Sequence, residues 1–177
     1  TFGVSILKRG LGIKEGVNLF SIDAAYNRYF NINKGWYGSV ELWSRIKLPF
    51  NQPYINRRAL GYGDLNLRGL EYYVIDGSVA SMAKFTVRKK IFDFKIPFPI
   101  KNKIVPYIPF SFYAKAFGDA GYVYSQQDAR AMLNNKLLYT GGVGLDVITL
   151  YDVTVRLDYS FNQLGEKGLF LHLTGGF

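Results

Sequence analysis

Between Tyr151 and Phe161 the chain alternates without a break. Odd positions carry Tyr151, Val153, Val155, Leu157, Tyr159 and Phe161, and even positions carry Asp152, Thr154, Arg156, Asp158 and Ser160. Successive side chains of a strand point to opposite faces, so one face is apolar with aromatic ends and the other is charged or polar. A soluble sandwich alternates too. A run of about eleven residues with aromatic ends, recurring along the chain, suits strands that cross lipid with a wet inner side.

The same pattern predicts about eight strands. The first, Phe2 to Lys8, sets Phe2, Val4 and Ile6 on one side, and Gly10, Gly12 and Gly16 punctuate the connection after it. The second, Val17 to about Arg28, sets Phe20, Ile22, Ala24 and Tyr26 against Ser21, Asp23 and Asn27. A turn by composition follows at residues 31–35. The third, Trp36 to Leu48, sets Val40, Leu42 and Ile46 against Glu41, Arg45 and Lys47. The fourth, Ser78 to about Phe92, opposes Val79, Ala83, Phe85, Val87 and Ile91 to Lys84, Thr86, Arg88 and Lys90. Pro97, Pro99 and Pro106 are expected to break the ladder after it. The fifth, Tyr107 to Ala120, opposes Ile108, Phe110, Phe112, Ala114 and Ala116 to Ser111, Tyr113, Lys115 and Asp119. The sixth, Leu137 to Thr149, points Tyr139, Val143, Leu145 and Val147 outward and Thr140, Gly142, Gly144 and Asp146 inward. The seventh is the stretch at residues 151–161. A hairpin turn at residues 165–168 leads to the eighth, Leu169 to Phe177. Helical periodicity competes only weakly, at Gln126 to Leu138.

The long exception to alternation is residues 49–77. It holds Pro49, Pro53, Arg57 and Arg58, and spaced glycines. Connections of that length are functional or disordered, and Tyr54, Tyr62, Tyr72 and Tyr73 argue against disorder.

Composition narrows the chemistry. The chain has 177 residues, 17% of them aromatic, and no run approaches the roughly 20 apolar residues of a spanning helix. A membrane crossing therefore has to be a closed barrel, because open sheet edges cannot face hydrocarbon. Cysteine is absent and His172 is the single histidine. Disulfide scaffolds, thiolate metal sites and most imidazole chemistry fall away. The net charge of +9 is spread over strand faces and turns rather than gathered into a patch, which speaks against nucleic acid. The chain starts at Thr1 with no basic and apolar leader, and reads as a mature or internal segment.

Several segments, taken in order, resemble one family. Leu67-Arg68-Gly69-Leu70, followed by Glu71 and by Asp76-Gly77, resembles the Arg-Gly-aromatic loop of the BamA-type surface-antigen family, with Leu70 in the aromatic position. Phe117-Gly-Asp-Ala-Gly-Tyr122 is similar to its Asp-x-Gly strand, and Gly141-Gly-Val-Gly-Leu-Asp146 to its Gly-x-Gly strand. Val155 to Phe161 resembles its penultimate strand, and Gly168 to Phe177 its closing strand and sorting signal. The likeness covers roughly residues 60–177; the first three strands match only in style. It implies an all-β, antiparallel transmembrane barrel, of which this chain is the C-terminal half of a sixteen-stranded plan, with a lumen-directed loop at about residues 49–77.

From the resemblance, Arg68 enters the lumen and touches the wall. Asp119 lies at lumen parity by the alternation of its own strand, so the two are expected to form a bidentate pair. Removing one partner then costs about 3–5 kcal/mol, because the other charge is left unpaired. Gly69 permits a tight turn. Glu71 reads equally as an exposed loop acid or as a second partner. Lys84 stands near a position where the family often has an acid. Asp146, Asp158 and His172 read as ordinary lining, and Trp36 and Trp43 as interface aromatics or lumen packing.

The resemblance further implies a barrel-assembly insertase of the bacterial outer membrane. Leu169, Leu171, Leu173, Gly175, Gly176 and Phe177 form its seam and sorting signal. An opened edge there templates a client strand by β-augmentation. Its expected partners are the lipid bilayer, unfolded outer-membrane clients and accessory assembly subunits. No enzyme chemistry, cofactor, metal or nucleic acid is expected. Three alternatives stay open: a complete eight-stranded pore or scaffold, a family-related translocator for one passenger, and a soluble lipocalin-like barrel. The position of the long loop separates the first of these from the insertase, because an eight-stranded barrel has little interior room.

Overall fold

The computed structural model describes residues 1–10, 18–97, 107–127, 131–149 and 153–174. The strands are β1 (Phe2–Arg9), β2 (Leu19–Asn33), β3 (Trp36–Leu48), β4 (Arg58–Leu60), β5 (Ile75–Asp76), β6 (Val79–Pro97), β7 (Tyr107–Tyr124), β8 (Leu137–Ile148), β9 (Thr154–Asn162) and β10 (Lys167–Thr174). Eight of them form one sheet in the order β1-β2-β3-β6-β7-β8-β9-β10, and β4 pairs with β5 inside the long loop. Every pairing is antiparallel. The fold is all-β, with strand neighbours in chain order apart from the inserted β4–β5 pair.

Cross-strand register carries the alternation from strand to strand. Asp23 faces Arg45, Glu41 faces Lys84, Lys84 faces Asp119, and Asp119 faces Thr140. Polar rows thus line one face, which also carries the long loop and is here called the inner face. The outer face is apolar and open: Phe2, Ile6, Leu171 and Leu173 are 70%, 67%, 67% and 72% exposed. Val143, Leu145, Leu157, Tyr159 and Phe161 are exposed on it as well.

The core lies between the loop and one end of the inner face. Ala59, Leu60, Leu67, Leu70 and Ile75 of the loop region pack with Ala80, Val123, Leu133 and Leu138, flanked by Trp43, Tyr73 and Met82. Hydrophobic burial here serves to seat the loop on the wall.

The structure corrects several expectations. The ladder continues through Pro97, which pairs with Tyr107, so β6 runs past the expected end near Phe92. The weak helical periodicity at residues 126–138 forms no helix among the described residues, and β8 begins at Leu137 as expected, but Leu133 of the connection joins the core. The last hairpin turns at residues 163–165, and Lys167 already belongs to β10. The long loop contains its own strand pair, so it is not wholly irregular. Tyr151, Asp152, Gly12, Gly16, Pro99, Pro106, Gly175, Gly176 and Phe177 lie outside the described residues. Among the described residues β1 pairs only with β2 and β10 only with β9, so both ends of the sheet are open edges.

Leu138 is fully buried beneath the loop. Leu138→Ala should cost about 2–5 kcal/mol in urea unfolding, by cavity formation. Leu145→Ala on the exposed face should shift the same transition much less.

Candidate functional site

The site is built around a tight turn. The Leu70 amide donates to the Leu67 carbonyl at 3.0 Å, closing a turn across Arg68 and Gly69. Gly69 has φ +86°, the left-handed conformation that the third residue of a type II turn requires. A Cβ at Gly69 would stand 2.9 Å from the Ser160 Cβ. The turn therefore presses against β9, and Leu67 and Leu70 on either side anchor it in the core.

Arg68 leaves this turn along the inner face. Its Nε donates to Asp119 Oδ2 at 2.9 Å, and its Nη2 donates to the other carboxylate oxygen, Oδ1. The Arg68 backbone amide adds a bond to Asp119 Oδ2 at 3.0 Å. Nη1 donates to Thr86 Oγ1 at 2.9 Å and Nη2 to the Phe85 carbonyl at 3.3 Å. The guanidinium lies 4.1 Å above the centre of the Phe117 ring. The Asp119 side chain is fully buried and that of Arg68 only 15% exposed. A fork on a carboxylate, stacked on an aromatic face, uses nearly every recognition mode a guanidinium has.

Missing side chains around the pair create its space. A Cβ at Gly142 would lie 2.6 Å from Phe117 Cζ, so that glycine leaves room for the ring beneath Arg68. A Cβ at Gly121 would meet Leu67 Cδ1 at 2.9 Å and Leu60 Cδ1 at 3.3 Å. The Asp-x-Gly and Gly-x-Gly strands are in this sense seats for the loop.

Further contacts tie the loop to the last strands. Glu71 Oε2 lies 2.8 Å from His172 Nε2, which makes Glu71 the partner of a β10 residue. The Tyr72 ring packs on Phe170, also in β10, at 5.6 Å. Asn162 Nδ2 donates to the Gly69 carbonyl at 2.9 Å. The Tyr73 hydroxyl donates to Glu166 Oε1 at 2.6 Å. That bond, followed by one from Asn162, holds the Glu166 carboxyl below its ordinary value, and the same bond raises Tyr73. Within the loop, burial first and then the bond to Asp76 push Tyr62 up to about 12. At the other end of the loop Lys47 Nζ donates to the Asn56 carbonyl at 2.7 Å and also to that of Arg58.

A second group of charges is one that sequence reading had reduced to ordinary lining. Lys115 Nζ lies 2.7 Å from Asp146 Oδ1 and 2.7 Å from Asp158 Oδ1, with all three side chains nearly or wholly buried. Arg88 Nε approaches Asp146 Oδ2 at 3.1 Å. A Cβ at Gly144 would fall 2.3 Å from Asp158 Oδ1 and 2.8 Å from Lys115 Cε, so the glycine admits the bridge. Both aspartates thus neutralise cations across the sheet. Even parity was the available signal; the bridging role depends on register between β7, β8 and β9. Lys84 shares the polar cavity of about 580 Å³ that Arg68, Glu71, Arg156 and His172 also line. Trp43 packs on the core, and Trp36 stands exposed on the outer face. Leu169, Leu171 and Leu173 are exposed on that face too, along β10. Among the described residues no cluster of acids and histidine is placed to hold a metal ion.

Comparison of the chain with protein-family models, curated proteins and solved structures returned no match.

Asp119→Ala should cost about 3–5 kcal/mol and free the loop, because Arg68 is left as a buried, unpaired charge. Faster tryptic cleavage after Arg57 and Arg58 would report the release; a loop as protected as in the parent protein would contradict it. The Glu166 contact has a pH signature. Its folded value is depressed, so its contribution is present above the unfolded value and fades as pH falls through the folded one. Proteolytic protection of the loop should weaken on that acid side, and Glu166→Gln should flatten the dependence.

Proposed function

We propose that this chain is part of an outer-membrane β-barrel that inserts client barrel proteins by offering a strand edge as a template. The observation that carries the membrane half of this reading is the outer face, apolar and exposed from β1 to β10 and backed by a charged inner face. Water does not tolerate an apolar patch of that extent, whereas a bilayer requires one.

The insertase half rests on the resemblance of the loop and strand motifs and on the place of β10. This strand ends the sheet, carries Leu169, Leu171 and Leu173 outward, and is gripped from inside through His172 and Phe170. An edge strand with free backbone groups can accept an extended client segment. The loop sets how firmly that edge is held. In this reading its partners are the bilayer, unfolded clients and accessory assembly subunits, and no bond is made or broken. The loop packs on the inner face, and a segment of that size does not fit inside eight closed strands. That placement disfavours the complete eight-stranded pore.

Arg68→Ala and Asp119→Ala, introduced into the protein in cells, should each lower the amounts of folded outer-membrane proteins, read as heat-modifiable bands. Normal levels of those proteins, with both variants present at parental abundance, would refute the insertase role.

A further inference from the structure

β6 and β7 are far longer than a crossing requires, at 19 and 18 residues against the about 9–11 of a spanning strand. β3 stops pairing with β6 at Lys89, and β8 stops pairing with β7 at the level of Ser111. From Ile91 to Pro97 the ribbon consists of β6 and β7 alone on the β3 side, the Lys90 amide making the last bond across, to the Gly35 carbonyl. At a rise of about 3.3 Å per residue it runs roughly 25 Å past the edge of β3. A register shift between Lys90 and Phe92 lies at the junction, and such a bulge bends a strand.

One side of this ribbon is a stack of rings. Phe92 and Phe112 lie 4.5 Å apart, Phe94 and Phe110 5.3 Å, and Phe94 and Phe112 5.7 Å, all nearly parallel. Phe92 and Phe94 are exposed, as is Ile96 beyond them. Paired as Phe92 with Phe112 and Phe94 with Phe110, they extend the outer face of the sheet. The opposite side presents Asp93, Lys95 and Ser111. Lysines outnumber acids on the described part: Lys89, Lys90 and Lys95 against Asp93, which pairs with Lys90 at 3.3 Å. Lys89 Nζ lies 5.1 Å over the Trp36 ring where the wide sheet ends.

The geometry points to a membrane-surface arm: the β6–β7 extension lies on a leaflet with anionic headgroups, its phenyl stack dipped toward the acyl chains. This rests on the bilayer reading above and deepens it. Two constraints set the depth. Four exposed or half-buried phenyl rings where the sheet narrows to two strands, Phe94 and Phe110 beyond the end of β8, are poorly placed in water. The backbone edges left free beyond Lys90 and Ser111 are equally misplaced in hydrocarbon. The hydrated headgroup layer satisfies both, and Lys89, on the same face as the stack, meets lipid phosphates there.

The chain has no cysteine, so a single introduced thiol reports alone. F94C on the stack, S111C on the opposite side of the ribbon and L171C on the outer face of β10 would each carry an environment-sensitive fluorophore. The full chain is reconstituted in phosphatidylglycerol–phosphatidylcholine vesicles containing a nitroxide lipid, placed either at the headgroup or deep in the acyl region. Expected is a loss of F94C fluorescence with the shallow nitroxide, little loss at S111C, and loss at L171C with the deep one. The F94C loss should shrink in pure phosphatidylcholine. An unquenched F94C beside a quenched L171C overturns the arm and leaves the bilayer reading standing; a blue-shifted but unquenched label there would show that protein covers the stack. Stronger quenching of F94C by the deep nitroxide also overturns it, making the ribbon spanning rather than interfacial. Equal quenching with and without anionic lipid overturns the headgroup contact. Absence of quenching at both F94C and L171C overturns the arm together with the bilayer reading.

Discussion

A sheet that shows its apolar side to the surroundings must lie against something apolar. This constraint organises the rest of the molecule. Because phenylalanine, leucine and valine point outward, the polar halves of the strands point inward, and the protein has to stabilise a charged interior without the usual hydrophobic centre. It does so in two ways. Charges pair across strands, as Lys115 does with Asp146 and Asp158. The long loop brings in its own apolar residues, so that Leu60, Leu67, Leu70 and Ile75 make a local core at one end.

Seen from the loop, the Arg68–Asp119 pair and the small residues around it are one device. A guanidinium is costly to bury, and here its cost is offset by a buried carboxylate, a hydroxyl, a carbonyl and an aromatic face. Gly121, Gly142 and Gly144 do not supply unusual backbone angles; they supply volume. Leu67, Phe117 and Lys115 occupy the room they leave. The same loop reaches β10 through Glu71 and Tyr72, so the edge strand and the arginine turn are parts of one packed unit.

Much of this was legible in the sequence because strand parity is a local property. The inward and outward sets of β3, β7 and β8 follow from alternation alone, as does the inward position of Asp119. The pairing of Arg68 with Asp119 needed the resemblance as well, since nothing local says where a long loop goes. What stayed hidden depends on register. The Lys115 bridge joins three strands, and Glu71 meets His172 across 101 positions of chain. The length of the β6–β7 hairpin was masked by Pro97. Prolines do end inner strands, but this one falls where the ribbon has only two strands and a missing amide breaks no second ladder.

The claim beneath all of this is that the outer face meets hydrocarbon. A nitroxide scan from Val153 to Phe161 in lipid vesicles, read by collision with oxygen and with a water-soluble nickel chelate, tests it most directly. Oxygen access should rise at Val155, Leu157, Tyr159 and Phe161 and fall at Arg156, Asp158 and Ser160, with the nickel chelate excluded from the odd positions. Free access of the chelate to Leu157 and Tyr159 would contradict the account.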